Sequence, residues 1–436
     1  MNHRISIKDK MHVLLKMCMI LLCAAVGVTL LLVIVYCIPT ERMAQNVLDS
    51  RDALSAQDDE KILRESGFYN YYDTGTNIII LHEVIYPNTG HVLRDALLAP
   101  AADYFNGNLD QWIATLMEHA QTRIYGNNDF QTYGRYWHGY LVFLKPLFVL
   151  FNLEQIYIIN TVVLLLLVVG VCYNLYKKMG KVVWAYLMFV VMMNPWHIVQ
   201  SFQLSAVFYA LNITMYLLLR HYEKWRGNRI YYLFLLDGML VAFLDFLTYP
   251  MVALAVPLLT FILLEKSYNW KKQLKLIFEN TVSFTIGYGG FWLLKWIVAS
   301  LFTDENILKD GIGNVLHRVG AQEMSEDVLF DDSIGAALKV NIETICNRQT
   351  LFVVLIFIVV FCVFLYHGKV NISKVKNYMV AYVVVGLSPF IWIVFAHNHC
   401  ALHPHLEWRE LAILFYVLSV GLLEALEQKG REKKNE

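Results

Sequence analysis

Four histidines, two glutamates and an arginine crowd the stretch His397-Asn398-His399-Cys400-Ala401-Leu402-His403-Pro404-His405-Leu406-Glu407-Trp408-Arg409-Glu410. It lies between two long apolar segments, so a turn this short is held at a membrane surface. Its polar groups must then face a water-filled cavity or a polar ligand. Donors of this kind suit a phosphate. Arg409 supplies a planar fork, and His399 and His405 supply further N–H groups. The plainer alternative is a hydrated turn that anchors two helices. A metal site is a third reading, but the spacing matches no standard ligand pattern.

Carboxylates are the second group able to do chemistry. Glu41 lies just beyond the first apolar segment and is followed by Asp49 and Asp52. A carboxylate placed there can take the proton of an acceptor hydroxyl, which is general-base work. Charged residues also flank membrane helices for no chemical reason. Inside the apolar segments, Asp237, Asp245 and Lys295 are costly and need partners. Asp245 and Lys295 are expected to form a structural ion pair, and Asp237 to hydrogen-bond to a neighbouring helix.

The elements that must hold these groups are apolar helices. Only 17% of the 436 residues are charged, against roughly 25% in soluble domains, and the deficit is concentrated in long runs. A crossing needs about 20 apolar residues, because lipid cannot satisfy backbone polar groups. Ten segments qualify or come close: 11–36, 154–176, 181–195, 203–220, 229–247, 250–265, 279–301, 350–367, 377–397 and 408–426. The expectation is an all-α polytopic bundle of about ten transmembrane helices, with both termini in the cytoplasm of a multi-pass plasma-membrane protein. Lys and Arg gather at Lys177–Lys181, Arg220–Arg229, Lys266–Lys275, Lys369–Lys376 and both tails, while the turns near Trp196 and Pro250 hold none. That alternation sets the orientation. The first segment is too long for a cleaved signal, so a retained anchor is expected.

The chain then divides into 1–36 (tail and first helix), 37–153 (a large outer loop), 154–301 (helices two to seven), 302–349 (a second outer loop) and 350–436 (helices eight to ten and a basic tail). In the first loop, 91–105 and 109–123 read as amphipathic helices lying on the outer leaflet. His138–Phe151 is apolar but short, with Lys145-Pro146 inside it. That suits a re-entrant or interfacial helix. Ten of the fourteen histidines fall on the outer side. Cys346 and Cys400 lie in outer turns and could pair. The inner loops carry no nucleotide-binding motif and are too short for a nucleotide domain. The balanced net charge implies no nucleic-acid partner.

This layout of one helix, a large first outer loop with amphipathic helices and then a bundle resembles the GT-C superfamily of membrane glycosyltransferases. It is also similar to GT-C-like proteins of Gram-positive bacteria. The segments carrying the resemblance are Thr74-Gly75-Thr76-Asn77, Tyr133-Gly134-Arg135-Tyr136-Trp137-His138-Gly139-Tyr140, Asp245-Phe246-Leu247-Thr248-Tyr249-Pro250, and Asn398-His399 with His405 and Trp408-Arg409. The resemblance implies transfer of a sugar from a polyprenyl-phosphate donor to a cell-envelope glycan or lipid acceptor on the outer face. Membrane lipids surround the reaction, which needs no cofactor, although a divalent metal would be compatible. It implies a catalytic carboxylate early in the first loop, where Glu41 is the nearest positional match and Asp49 the next. It assigns Arg409, His399, His405, Asn398, Arg135 and His138 to the lipid phosphate or substrate. The alternatives are a flippase or transporter of a lipid-linked glycan, an O-antigen-type polymerase, and a noncatalytic membrane protein.

Overall fold

A computed structural model describes residues 7–102, 107–124, 130–321 and 331–428. It is almost wholly helical. The strands among the described residues are two short antiparallel pairs, Ala101–Ala102 with Phe130–Gln131 and Gly368–Val370 with Leu426–Gln428. Five stretches are long and apolar enough to cross a membrane: Met11–Tyr36, Leu153–Met192, Phe202–Arg220, Trp270–Phe302 and Arg348–His367. Large apolar side chains along them, such as Met19, Val26, Ile34, Leu166, Phe352 and Val359, lie 60–65% exposed. So continuous an apolar surface requires hydrocarbon around it. The molecule is therefore an all-α, membrane-embedded protein.

The other expected crossings are shorter helices. Segment 181–195 forms Val183–Met192, the second part of the Leu153–Met192 stretch, and 229–247, 250–265, 377–397 and 408–426 form Arg229–Leu244, Pro250–Leu264, Met379–Phe395 and Ala412–Glu424; the five helices have 10 to 17 residues. At 1.5 Å per residue they run roughly 15–26 Å, short of a hydrocarbon core of about 30 Å. Turn chemistry sets several of these limits. Gly180, at φ +56°, turns the chain between Leu153–Met179 and Val183–Met192. Asp245 closes Arg229–Leu244, because its carboxylate accepts from the Leu247 and Thr248 amides and the Thr248 hydroxyl.

The first loop folds as a helical layer on the bundle. The Leu109–Thr122 helix matches its expectation and starts with an Asn108/Gln111 capping box. The 91–105 stretch is helical only over Val92–Leu98. Ala99, at φ +42°, ends it, and the chain passes into the short strand, while 103–106 lie outside the described residues. The expected interfacial helix is Leu141–Leu150, too short to cross. Leu81, Leu116, Trp137 and Phe148 from this layer share one core with Leu32 of the first helix and Phe291 of the Trp270–Phe302 helix. A second core fills the bundle around Tyr186, Phe208, Phe261 and Tyr416. Gly75 permits close packing inside the layer, since a Cβ there would lie 2.9 Å from the Trp112 ring.

Two polar expectations meet different outcomes inside the bundle. Thr214 donates to Asp237 at 2.8 Å from a neighbouring helix, the contact anticipated for that carboxylate. The Asp245–Lys295 pair does not form. Asp245 spends its oxygens on the turn it caps, and Lys295 donates to the Leu97 carbonyl at 2.7 Å beside the Trp137 ring. Local hydrogen bonds three residues away outcompete a partner on another helix. Cys346 and Cys400 are both free thiols, the first exposed and the second buried.

Candidate functional site

The histidine-rich turn folds as three short helical pieces, His397–Leu402, Pro404–Glu407 and Trp408–Leu411, before the last helix. Pro404 starts the second piece, where its missing N–H costs nothing. This compact path turns Arg409 inward. Its guanidinium is fully buried against Trp408, 4.6 Å from the ring. Nε donates to the Met193 carbonyl and Nη1 to the His405 carbonyl at 2.6 Å. Nη2 is buried with no hydrogen-bond partner among the described residues. A buried guanidinium holding one donor in reserve is costly unless an acceptor arrives.

One carboxylate whose charge acts on Arg409 comes from the first loop. Asp73 precedes the Thr74–Ile85 helix and sits in the left-handed region at φ 61°, ψ 46°. Asp tolerates that region better than most residues, at a cost of roughly 1–3 kcal/mol. Asp59 pins the turn by accepting from the Tyr72 amide at 2.9 Å and the Thr74 amide at 2.6 Å. Thr74 also donates to the Gln57 carbonyl. Asp73 Oδ1 accepts from the Thr76 hydroxyl at 2.9 Å and lies 3.8 Å from His405 Nε2. Its Oδ2 is buried with no partner among the described residues. Burial, and then the charge of Asp59, push the Asp73 carboxyl well above its usual range, while Thr76 and Arg409 oppose the rise. Burial drives His405 well below its usual range, helped by His403 and Arg409, so it is a neutral imidazole at pH 7.

Aromatic rings pack around these groups. Tyr71 packs on His405 at 4.7 Å between ring centroids, Tyr69 on Trp408 at 4.5 Å and Tyr72 on His197 at 4.3 Å. Asn194, at φ +57°, donates to the Tyr69 carbonyl at 3.1 Å and ties Tyr69 to the Met193 turn. Behind Arg409, His399 Nε2 contacts the Leu247 carbonyl at 2.7 Å and Glu407 Oε1 at 3.3 Å. Trp392 Nε1 donates to the other Glu407 oxygen at 2.9 Å.

The expected site residues therefore separate. Arg409 and His405 come together, and His399 is connected to His405 through His403. Asn398 points instead to Asp332, donating at 3.2 Å. Arg135 pairs with Asp310 at 3.4 Å and lies over the Tyr133 ring. His138 is buried in another network, 2.7 Å from the Tyr133 carbonyl and 3.0 Å from Glu83 Oε1. Glu41 and Asp49 lie exposed on the surface around the Glu41–Leu48 helix, where Asp49 accepts from Gln45. No hydrogen bond or ion pair joins either of them to Arg409, His399 or His405 among the described residues. The carboxylate that does reach His405, Asp73, directly precedes the Thr74-Gly75-Thr76-Asn77 segment, and an acidic residue before an apolar helix reads first as a cap. Nothing local marked it for chemistry.

Among the described residues, no group of three or more His, Cys, Asp or Glu side chains converges as a metal site. Comparisons with protein-family models, curated proteins and solved structures give no match to this chain. The site itself is thus the basis for a functional reading.

Proposed function

We propose that this is a membrane glycosyltransferase of GT-C-like type. It would move a sugar from a polyprenyl-phosphate donor to a cell-envelope glycan or lipid on the outer face. One observation carries this reading. Asp73 Oδ2 and Arg409 Nη2 are each buried and unpartnered among the described residues, Asp73 Oδ1 lies 3.8 Å from His405 Nε2, and Asp73 and Arg409 feel each other's charge. Sugar transfer requires the same division of labour. A base must take the acceptor hydroxyl proton, and a cation must meet the charge growing on the departing phosphate. Asp73 has the place and the raised basicity for the first task. Arg409 and His405 have the donors for the second, and Arg409 already spends two of them on backbone carbonyls, which fixes its fork.

In this reading the chain crosses the membrane ten times, the five shorter helices completing the bundle, with both termini in the cytoplasm. The placement of Lys and Arg supports that sidedness. A reporter fused after Lys272 should then report cytoplasm, and an outer signal would overturn the helix count. Mass spectrometry of envelope glycans, with and without the gene, tests the activity. A glycan species should vanish in the deletion strain, return with the native gene and fail to return with Asp73→Asn. Unchanged glycans in the deletion strain would remove the enzyme reading.

A further inference from the structure

Three imidazoles stand in file between two buried carboxyls. Glu407 Oε1 is 3.3 Å from His399 Nε2. The His399 and His403 ring centroids are 4.7 Å apart, and those of His403 and His405 5.6 Å apart. His405 Nε2 then stands 3.8 Å from Asp73 Oδ1. His399 is buried, whereas His403 and His405 are only partly covered. Chain geometry explains the file. Residues 399 and 403 are four apart across a helical turn, and Pro404 then redirects 405 towards the first loop.

We propose that His405 and His403 form a proton relay that carries the acceptor's proton from Asp73 out to water, with His399 and Glu407 holding the relay in register. The proposal rests on the reading of Asp73 as the base. The proton lost by the acceptor hydroxyl arrives at Asp73 and leaves through Oδ1 to His405 Nε2, across a 3.8 Å gap that one water bridges. His405 then gives up the proton on its other ring nitrogen to His403, directly or through one water, which is within the ordinary reach of such transfers. His403 passes a proton to solvent at its exposed edge. Each imidazole gains one proton and loses one and so ends in its other tautomer, which a ring flip or solvent exchange resets before the next turnover.

The surroundings favour this traffic over storage. Arg318 of the Ile307–Arg318 helix lowers His399 and His403, and Arg409 lowers His405. Burial, and then the charge of Arg318, depress His403 to about 4. Asp73, Tyr71 and Glu407 are the other titratable groups facing the file. Once protonated, an imidazole flanked by cations gives its proton up readily. A buried carboxyl raised above its usual range holds one slowly unless such a path exists.

Infrared difference spectroscopy after a pH jump reads the Asp73 carboxyl directly, in the full chain reconstituted in lipid bilayers and without substrate. Asp73→Asn identifies the band. His403→Gln is expected to slow the Asp73 protonation change at least ten-fold while leaving its end point in place. Free imidazole added to His403→Ala should restore the rate, which a misfolded protein would not allow. His397→Gln is the control, since His397 contacts the Asp332 carbonyl outside the file. Equal rates in the native protein and His403→Gln would overturn the relay, as would failure of imidazole to accelerate His403→Ala. The transferase reading stands or falls separately, on the envelope glycans.

Discussion

Asp73 and Glu83 lie at opposite ends of the Thr74–Ile85 helix, and both are buried. They are ten residues apart, roughly 15 Å along the axis. Glu83 is enclosed by its own layer. Tyr140 donates to Oε2 at 2.6 Å, His138 stands 3.0 Å from Oε1, and Lys145 nearby donates to the Val84 carbonyl at 2.9 Å. Asp73 is held by one hydroxyl, keeps a free oxygen and sits on a left-handed backbone. The difference separates structure from function within a single helix. Each carboxylate has one oxygen without a hydrogen-bond partner among the described residues, so what differs is the company: Tyr140 and His138 both hydrogen-bond to Glu83 Oε2 inside the first-loop layer, whereas Asp73 faces His405 from the histidine-rich turn and feels the charge of Arg409.

The comparison breaks most sharply at Asp73. Asp73→Asn removes the base but keeps shape, so transfer should fall by roughly 10²–10⁴ with the melting temperature little changed. In vitro transfer and thermal unfolding on the same preparation check this, and retained transfer would place the base elsewhere. Glu83→Leu should do the reverse. Leaving His138 and Tyr140 without their buried acceptor costs about 3–5 kcal/mol, seen as a large drop in melting temperature, while the surviving folded fraction keeps its transfer rate per molecule. Arg409→Lys retains charge but cannot reach two carbonyls and a phosphate from a planar fork. Donor KM should rise roughly ten-fold or more, with a smaller change in stability.

A gentler test uses pH. His403 and His197 are each depressed to about 4 by burial, with help from Arg318 and Arg409 respectively. A depressed folded value means the unfolded chain binds the proton more readily. Their stabilisation is therefore present above about 6.5 and is lost as pH falls towards 4. Thermal melts across that window should drop in the native protein and drop less in His403→Gln. The smallest effect is expected from Glu41→Gln and Asp49→Asn. Both carboxylates are exposed, so each change should stay within roughly 0.5 kcal/mol and leave transfer intact. Loss of transfer in a folded Glu41→Gln protein would move the base away from Asp73.

Much of the scaffold was legible beforehand because length and hydropathy act locally. A run such as Met11–Tyr36 can only be a helix in lipid, whatever surrounds it. The Leu109–Thr122 helix was readable from its period and the Leu141–Leu150 helix from its shortness. The shorter bundle helices were less legible, since their ends depend on turns such as the Asp245 cap. At the site, Arg409, His405 and His399 stood out because they share a few consecutive residues. Asp73 did not, because it lies more than three hundred positions away and its type and neighbours are those of an ordinary helix cap.

By itself, then, the sequence determined that this is a helical protein with membrane-length apolar stretches, and that one short turn concentrates phosphate-type donors. Hydrophobic length and residue clustering are properties of neighbours in the chain. Only the tertiary structure decided which carboxylate meets that turn, which buried groups are saturated and which remain open. Those outcomes depend on how the first loop packs against the Met193 and His405 turns, and on whether a partner arrives close enough to satisfy each buried polar atom.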